Sequence, residues 1–415
     1  MISETPEELY VWVWLPGAVE PVVAGRLFRP REQPGYLYFN YGSSYLGRSE
    51  AIPLYLPELP LRKGMISPAA GLTMPSALRD ASPDAWGRRV IIHRLMGTTS
   101  GPDAELDELT YMLESGSDRI GSLDFQGSAT EYVPRSADNP GLEELQEASE
   151  RVEKGLPLTE ELDRALNHGS SIGGARPKAL VQDGEVKYVA KFSSTSDHYN
   201  VVKGEFIAMR LAKAVGLNVA PVRLMRVANR DVLLVERFDR TWTPDGFQRH
   251  QVVSALTLFE LDELMARYAG YDQLADIIRR RFILPADTLI ELYKRLVFNV
   301  MTGNTDDHAR NHAAFWDGER LALTPAYDIC PQSRSTGVAS QAMRILNERN
   351  DSRLSLCREA AHRFNLGAGV ANEIIETMRQ TLTDAWKGIC DEAELTETER
   401  RFFWRRQFLN PSIDE

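Results

Sequence analysis

Apolar and polar positions alternate from Leu9 to Leu15. Short apolar runs at Val22 to Phe28 and Tyr36 to Tyr41, broken by Gly and Pro, extend that pattern and predict a small β-rich module. From Pro83 to Met96 the period lengthens to that of a helix, with Ser82 as N-cap, Pro83 at the first helical position, and Trp86, Val90, Ile91 and Leu95 along one face. The polar stretch from Gly127 to Pro140 reads as a linker. After it, K-A-L-V, the turn Asp183-Gly184 and V-K-Y-V-A-K-F predict a hairpin. A helix from Gly204 to Val215 follows, closed by Gly216, and then two strands, Val219 to Val227 and Val232 to Phe238, around a turn at Asn229-Arg230. Residues 253–302 and 352–410 are mainly helical in pattern, with Leu289, Ile290, Tyr293, Leu296, Val297 and Val300 forming one core stripe. An α+β chain in three segments is expected: 1–126 as a β-rich subdomain, 141–238 as a mainly antiparallel sheet, and 239–415 as a largely helical body.

Composition narrows the function classes without choosing among them. With 415 residues the chain is long enough for two or three real cores, and 43% hydrophobic with 26% charged residues is ordinary for globular protein. No basic-then-apolar leader opens the sequence and no apolar run nears the roughly 18 residues of a membrane span, so a soluble, cytoplasmic protein with no membrane partner is expected. The net charge of −11 gives no overall nucleic-acid signature, although basic clusters such as Arg279-Arg280-Arg281 occur. Cys330, Cys357 and Cys390 carry neither zinc spacing nor a disulfide framework.

The chemistry concentrates between Asn304 and Asp328. In N-T-D-D-H-A-R-N, four residues separate Asp306 from Asn311, the spacing at which one Asp can accept a substrate hydroxyl's proton while an Asn helps hold magnesium. Asp307 is one residue too close to fit, and His308 reads as a structural hydrogen-bonding residue. Apolar runs at Ala313 to Trp316 and Arg320 to Leu323 flank Asp317-Gly318, so a hairpin should bring Asn311 and Asp328 together at its open end. There an amide oxygen and a carboxylate can share one hard cation.

A phosphate side is legible upstream. S-S-I-G-G-A-R-P-K spans 170–178, where Gly173 and Gly174 let backbone N–H groups approach phosphate oxygens. Lys191, flanked by apolar neighbours in the second strand of the hairpin, can reach the same phosphates, and Glu205 in the next helix is placed to pair with it. In a kinase-like small lobe the backbone at Glu236 to Phe238 would be the hinge that binds adenine.

These motifs, together with V-E-R-F-D-R at 235–240, P-A-Y-D at 325–328, L-R-D-A-S-P-D-A-W-G-R-R at 78–89 and D-R-I-G-S-L-D-F at 118–125, make the chain resemble the HipA family of toxin kinases from bacterial toxin–antitoxin systems. The resemblance implies a protein-kinase-like bilobal body with a mainly helical C-terminal lobe, preceded by a small β-rich subdomain, and ATP-dependent phosphorylation of protein serine or threonine. It assigns Asp306 as catalytic base, with Lys191 and Glu205 beside it in the catalytic set, and Asn311 and Asp328 as Mg2+ ligands. Ser170, Ser171, Ile172, Gly173, Gly174, Lys178, Lys191, Glu236, Phe238 and His308 join those two in holding ATP, and Ser171 becomes an autophosphorylation site. It also implies a small DNA-binding antitoxin through which DNA is mainly contacted, and a host protein substrate such as an aminoacyl-tRNA synthetase. Where some relatives carry a Gln-Glu-Asp stretch after the hinge, this chain has H-Q-V-V-S-A-L-T at 250–257, a departure that implies a different substrate choice. A small-molecule or lipid-headgroup kinase on the same fold, and a nucleotide-dependent co-repressor, are the competing readings.

Overall fold

The computed structural model describes residues 5–97, 104–135, 140–167, 171, 174, 176–194, 197–332 and 337–415. Two compact units form, in place of the three expected segments. One comprises residues 1–197, 225–253 and 316–319, the other 198–224, 254–315 and 320–415.

In the first unit, β1 (Glu8–Val13), β2 (Val22–Phe28), β3 (Tyr38–Tyr41) and β4 (Leu123–Gln126) make an antiparallel sheet in the order β3-β2-β1-β4. The strand β4 has no clear sequence signal, because its buried Asp124 and Gln126 break the apolar pattern. Single-turn helices α1 (Ser43–Leu46) and α2 (Ser76–Arg79) lead to α3 (Ala85–Met96) and α4 (Glu108–Glu114). The expected start of α3 is corrected. Ser82 donates its hydroxyl to Glu108, and the helix begins at Ala85 after Asp84. Leu95 is exposed, whereas Trp86 and Val90 are buried against Ala148, Val152, Leu162 and Leu166 of α5 (Leu142–Glu153) and α6 (Glu160–Asn167).

That shared core explains why the first two expected segments fuse. Trp86 is fully buried and its indole N–H donates to the Lys178 carbonyl at 3.0 Å, so truncating it would cost about 3–5 kcal/mol and loosen both segments. The described part of the expected linker is packed too. Arg135 donates to Asp124 and Phe125, and the Tyr132 ring lies against Trp12 and Trp14.

A second sheet follows in the order β5-β6-β8-β7, from β5 (Lys178–Asp183), β6 (Val186–Phe192), β7 (Val222–Val227, of which Met225–Val227 belongs to this unit) and β8 (Arg230–Glu236). Ala228 and Asn229 between β7 and β8 both have positive φ, the geometry of a tight hairpin turn. Beyond the expected boundary at 238 the chain stays in this unit through the hairpin β9 (Arg240–Thr243) and β10 (Gly246–Arg249) and on into β11 (Gln251–Ser254). Gln248 of that hairpin donates to the Gly17 carbonyl of the first sheet's β1–β2 loop.

The second unit is helical. Its first helix, α7 (Val201–Ala214), starts earlier than expected because Asn200 caps the Lys203 N–H. Glycine at 204 lets Phe403 approach, and Arg210 pairs with Glu392, so α7 packs within this unit. After α8 (Ala255–Leu258) come α9 (Tyr271–Arg281) and α10 (Pro285–Thr302), and after the site described next come α11 (Leu354–Ala360), α12 (Ala368–Glu392) and α13 (Glu397–Phe403). The expected stripe of α10 is buried at Leu289, Tyr293, Leu296, Val297 and Val300 and half-buried at Ile290. No helix among the described residues is long and apolar enough to cross a membrane.

Candidate active site

The loop that follows α10 is held at both ends. Gly303 ends the helix with φ 68°, and a Cβ there would meet the Gln407 carbonyl oxygen at 2.7 Å, so the turn demands glycine. Buried side chains then form a hydrogen-bonded chain: Asn304 donates to Asn299 at 3.0 Å, Asn299 to the Tyr271 hydroxyl at 3.1 Å, and that hydroxyl to Asp307. His312 Nε2 donates to the same carboxylate at 3.0 Å.

The two adjacent aspartates therefore face opposite fates. Asp307 is buried, and although burial alone would raise its pKa, the His312 ring and the bonds from His312 and Tyr271 hold it below the usual carboxylate range. Asp306 is exposed at the surface of the loop, with a carboxyl raised above its ordinary value by partial burial and by the charges of Asp328 and Asp307, against an opposing pull from His308. The structural hydrogen-bonding histidine of this segment is His312; the His308 side chain makes no hydrogen bond among the described residues. A cavity of about 10 Å³, room for a single water, lies among Asn299, Asp307, Asn311 and His312, and the buried His312 Nδ1 has no partner among the described residues.

The expected hairpin forms from β12 (Ala313–Trp316) and β13 (Leu321–Leu323), with Gly318 at φ 105°. Its open end is tied by Thr324 N–H to the Ala313 carbonyl at 3.0 Å and by the Tyr327 hydroxyl to the Arg310 carbonyl at 2.6 Å, so the neighbours of Asn311 and Asp328 are bonded to each other. A parallel bridge to Val219 anchors Ala326, and Asp328 turns with φ 57°, a left-handed conformation that aspartate tolerates better than most residues.

This donor set fits a hard cation. The Asn311 amide directs its Nδ2 to the Asp306 carbonyl at 3.4 Å, which leaves Oδ1 without a hydrogen-bond partner among the described residues, and the Asp328 carboxylate is close enough to raise Asp306. Among the described residues no group of three His, Cys, Asp or Glu could enclose a metal. One amide and one carboxylate suit an ion that keeps waters and phosphate oxygens in its shell, as magnesium does.

In the first unit the hairpin register sets Lys178 directly opposite Lys191, so both side chains stand on one face of the sheet. Ala179, Tyr188, Ala190 and Phe192 bury the other face with Val232 and Leu234. Alternation adds Leu180, Val189, Leu233 and Val235 to the lysine face, which thus has a cationic end and an apolar middle. Like charges directly opposite each other repel, and an anion between them relieves the cost. Gly174, at φ 106°, lies under Lys178, whose ammonium a Cβ would strike; its N–H donates to Asp84 at 2.6 Å and its carbonyl accepts from Trp86. Ser170, Ile172 and Gly173 lie outside the described residues.

Glu236 pairs with Tyr188, three residues along β6 from Lys191 and roughly 10 Å away. Arg237 N–H is committed to the Lys187 carbonyl at 2.9 Å, and Phe238 is half-buried. Ser171 is buried, with its hydroxyl donated to the Asp118 carbonyl at 3.3 Å. Lys191 is half-buried on β6 and Glu205 is buried on α7, in different units. Sequence reasoning missed Tyr271, Asn299 and His312, whose only signal was polarity at buried helical or loop positions.

Residues 170–386, more than half of the chain, match the model of the HipA-like C-terminal domain. A putative kinase of Sinorhizobium fredii, Y4mE, is 25% identical over 336 residues, 72% of this chain and 73% of its own length. The serine/threonine-protein kinase toxin HipA of Shewanella oneidensis is 32% identical over 183 residues, 38% of this chain and 42% of that relative. The solved HipA from the toxin–antitoxin system of Shewanella oneidensis MR-1, in complex with HipB and operator DNA, covers 98% of this chain and 99% of its own with a TM-score of 0.70 at 19% identity, a likeness of fold. With more than half of its residues matched by the family model, the chain belongs to the HipA-like family of kinases.

Proposed function

We propose that this kinase transfers the γ-phosphate of ATP to a serine or threonine of a host protein and thereby arrests growth, under the restraint of a small DNA-binding antitoxin. The observation that carries the catalytic part is the division of labour between the paired aspartates: Asp307 is locked by Tyr271 and His312, while Asp306 is exposed beside Asp328 with a raised carboxyl.

In this reading the Asp306 carboxylate takes the proton of the substrate hydroxyl as its oxygen bonds to the γ-phosphorus and the bond to the leaving ADP oxygen breaks. Asn311 Oδ1 and Asp328 hold Mg2+, which supplies charge neutralisation at the phosphates. Lys178, Lys191 and the Gly174 loop take the phosphate end of ATP. The apolar middle of the lysine face takes the adenine, toward the backbone at Glu236 to Phe238. His308 stands beside Asp306. Positioning and charge neutralisation then supply most of the catalysis.

Ser171 is the proposed autophosphorylation site. Its hydroxyl must first leave the Asp118 carbonyl, and a dianion there would compete with nucleotide phosphates. Support for the antitoxin comes from the toxin HipA of like fold, which was solved with HipB and operator DNA.

Labelled ATP and magnesium, incubated with the wild type, Asp306→Asn and Asp328→Asn, test the reading. Transfer to protein by the wild type alone is expected. Equal labelling of protein by all three would remove the assignment, and label appearing only in small molecules would move the substrate class.

A further inference from the structure

Two motifs, D-R-I-G at 118–121 and E-R-F-D-R at 236–240, have no part in the phosphoryl chemistry. In the folded chain they meet. Asp118 Oδ1 accepts from Arg237 at 3.1 Å and from Arg240 at 2.9 Å, while its Oδ2 accepts from Lys187 at 2.6 Å. Its carbonyl oxygen accepts from Arg237 at 3.1 Å and from Ser171 at 3.3 Å. Asp239 completes the cluster by accepting from Arg237, Arg240 and the Gly121 N–H. Gly121 has φ 80°, and a Cβ there would stand 3.2 Å from the Val252 nitrogen, so glycine is what lets this backbone donor come close.

We propose that Asp118 is a positioning residue of the nucleotide site, fixing the strand end that carries Glu236 to Phe238 through its carboxylate and seating Ser171 of the phosphate loop through its carbonyl. This rests on the kinase reading above. Lys187, Arg237 and Arg240 are the side chains Asp118 grips, and the Lys187 carbonyl in turn holds the Arg237 N–H. One residue therefore ties the adenine end of the site to its phosphate end. The side chains of Arg237, Arg240 and Asp239 are almost wholly buried, so the two arginines depend on Asp118, Asp239 and the carbonyls of Arg119 and Gly121 in place of bulk water. Removing the Asp118 charge leaves the two arginines with the Asp239 carboxylate and those carbonyls and takes the carboxylate from Lys187, and the strand end must shift or admit solvent.

Such a residue acts on ATP affinity more than on turnover, and the adjoining buried ion cluster, which meets Arg237 and Arg240 only through the Arg119 backbone carbonyl, provides the control. Asp124 pairs with Arg119 and Arg135, and none of its contacts is to Lys187, Arg237 or Arg240. Binding of a fluorescent ATP analogue and steady-state transfer should be measured for the wild type, Asp118→Asn, Asp118→Glu, Arg240→Lys and Asp124→Asn, with circular dichroism to verify folding.

Asp118→Asn is expected to raise the KM for ATP roughly tenfold with a smaller change in kcat. Asp118→Glu should recover part of the loss, and Asp124→Asn should lower the melting temperature while leaving ATP affinity near wild type. Arg240→Lys keeps the charge but cannot reach Asp118 and Asp239 together, so it should weaken ATP several-fold and reports even where Asp118→Asn does not fold. Wild-type ATP affinity in a folded Asp118→Asn or Arg240→Lys would overturn the inference. An equal loss of ATP affinity in Asp124→Asn would overturn it too, reducing the effect to general destabilisation. Failure of the wild type itself to bind the analogue would overturn the kinase reading, a result distinct from either.

Discussion

His312 Nε2 donates to the Asp307 carboxylate at 3.0 Å in a buried setting, whereas the neighbouring Asp306 is exposed. Asp307→Ala removes the acceptor of both His312 and Tyr271, and leaving two buried donors unpaired should cost roughly 2–4 kcal/mol in urea unfolding. Asp306→Asn should instead leave stability near wild type and reduce phosphoryl transfer by about 10²–10⁴-fold. A stability loss at Asp306 equal to that at Asp307 would contradict the division.

The pH dependence has two opposed parts. Asp307, Asp118 and Asp239 are held low by their cationic or hydrogen-bonded neighbours despite burial, Asp239 to about 2. Their stabilisation is present above the unfolded carboxylate pKa of about 3.9 and is lost as pH falls through their folded values. Asp306 is raised, so its ionisation destabilises the fold as pH rises through its folded pKa. The low group dominates in number, and the urea midpoint should fall steeply on acidification below about pH 4. Transfer rate should climb with pH above that range as Asp306 ionises; a flat rate profile from pH 4 to 7 would argue against Asp306 as the base.

Asn311→Ala removes the amide oxygen proposed for the cation without removing a charge. The magnesium concentration for half-maximal transfer should rise by about tenfold or more, with the melting temperature little changed. Asp328→Asn should have a larger effect, because it removes a charged ligand. Titration of activity with magnesium separates the two, and an unchanged requirement in both would remove the metal assignment.

Lys178 and Lys191 face each other across the hairpin and are proposed to hold the nucleotide phosphates, and Lys191→Met removes one of the two charges. The rise in melting temperature on adding Mg·ATP should shrink in the same variant, because a ligand stabilises only through its affinity for the folded state. Equal nucleotide-induced shifts in wild type and Lys191→Met would rule out phosphate contact.

What the sequence alone determined was local. Strand and helix periods placed β2, β6, α10 and the Asp317-Gly318 hairpin, and the spacing of Asp306 and Asn311 is the ground on which Asp306 is proposed as the base. Such signals survive because a period or a turn depends on a few consecutive residues. The tertiary structure decided what depends on distant pairing. It turned Ser82 from a helix cap into a partner of Glu108, placed α7 with the helical unit, and made Leu123–Gln126, quoted above only as part of a motif, an edge strand of the first sheet. It also joined Asp118 to Arg237 and Arg240 across more than a hundred residues. A buried charge is stable only where its partners arrive, and which partners arrive is set by the packing of the whole chain.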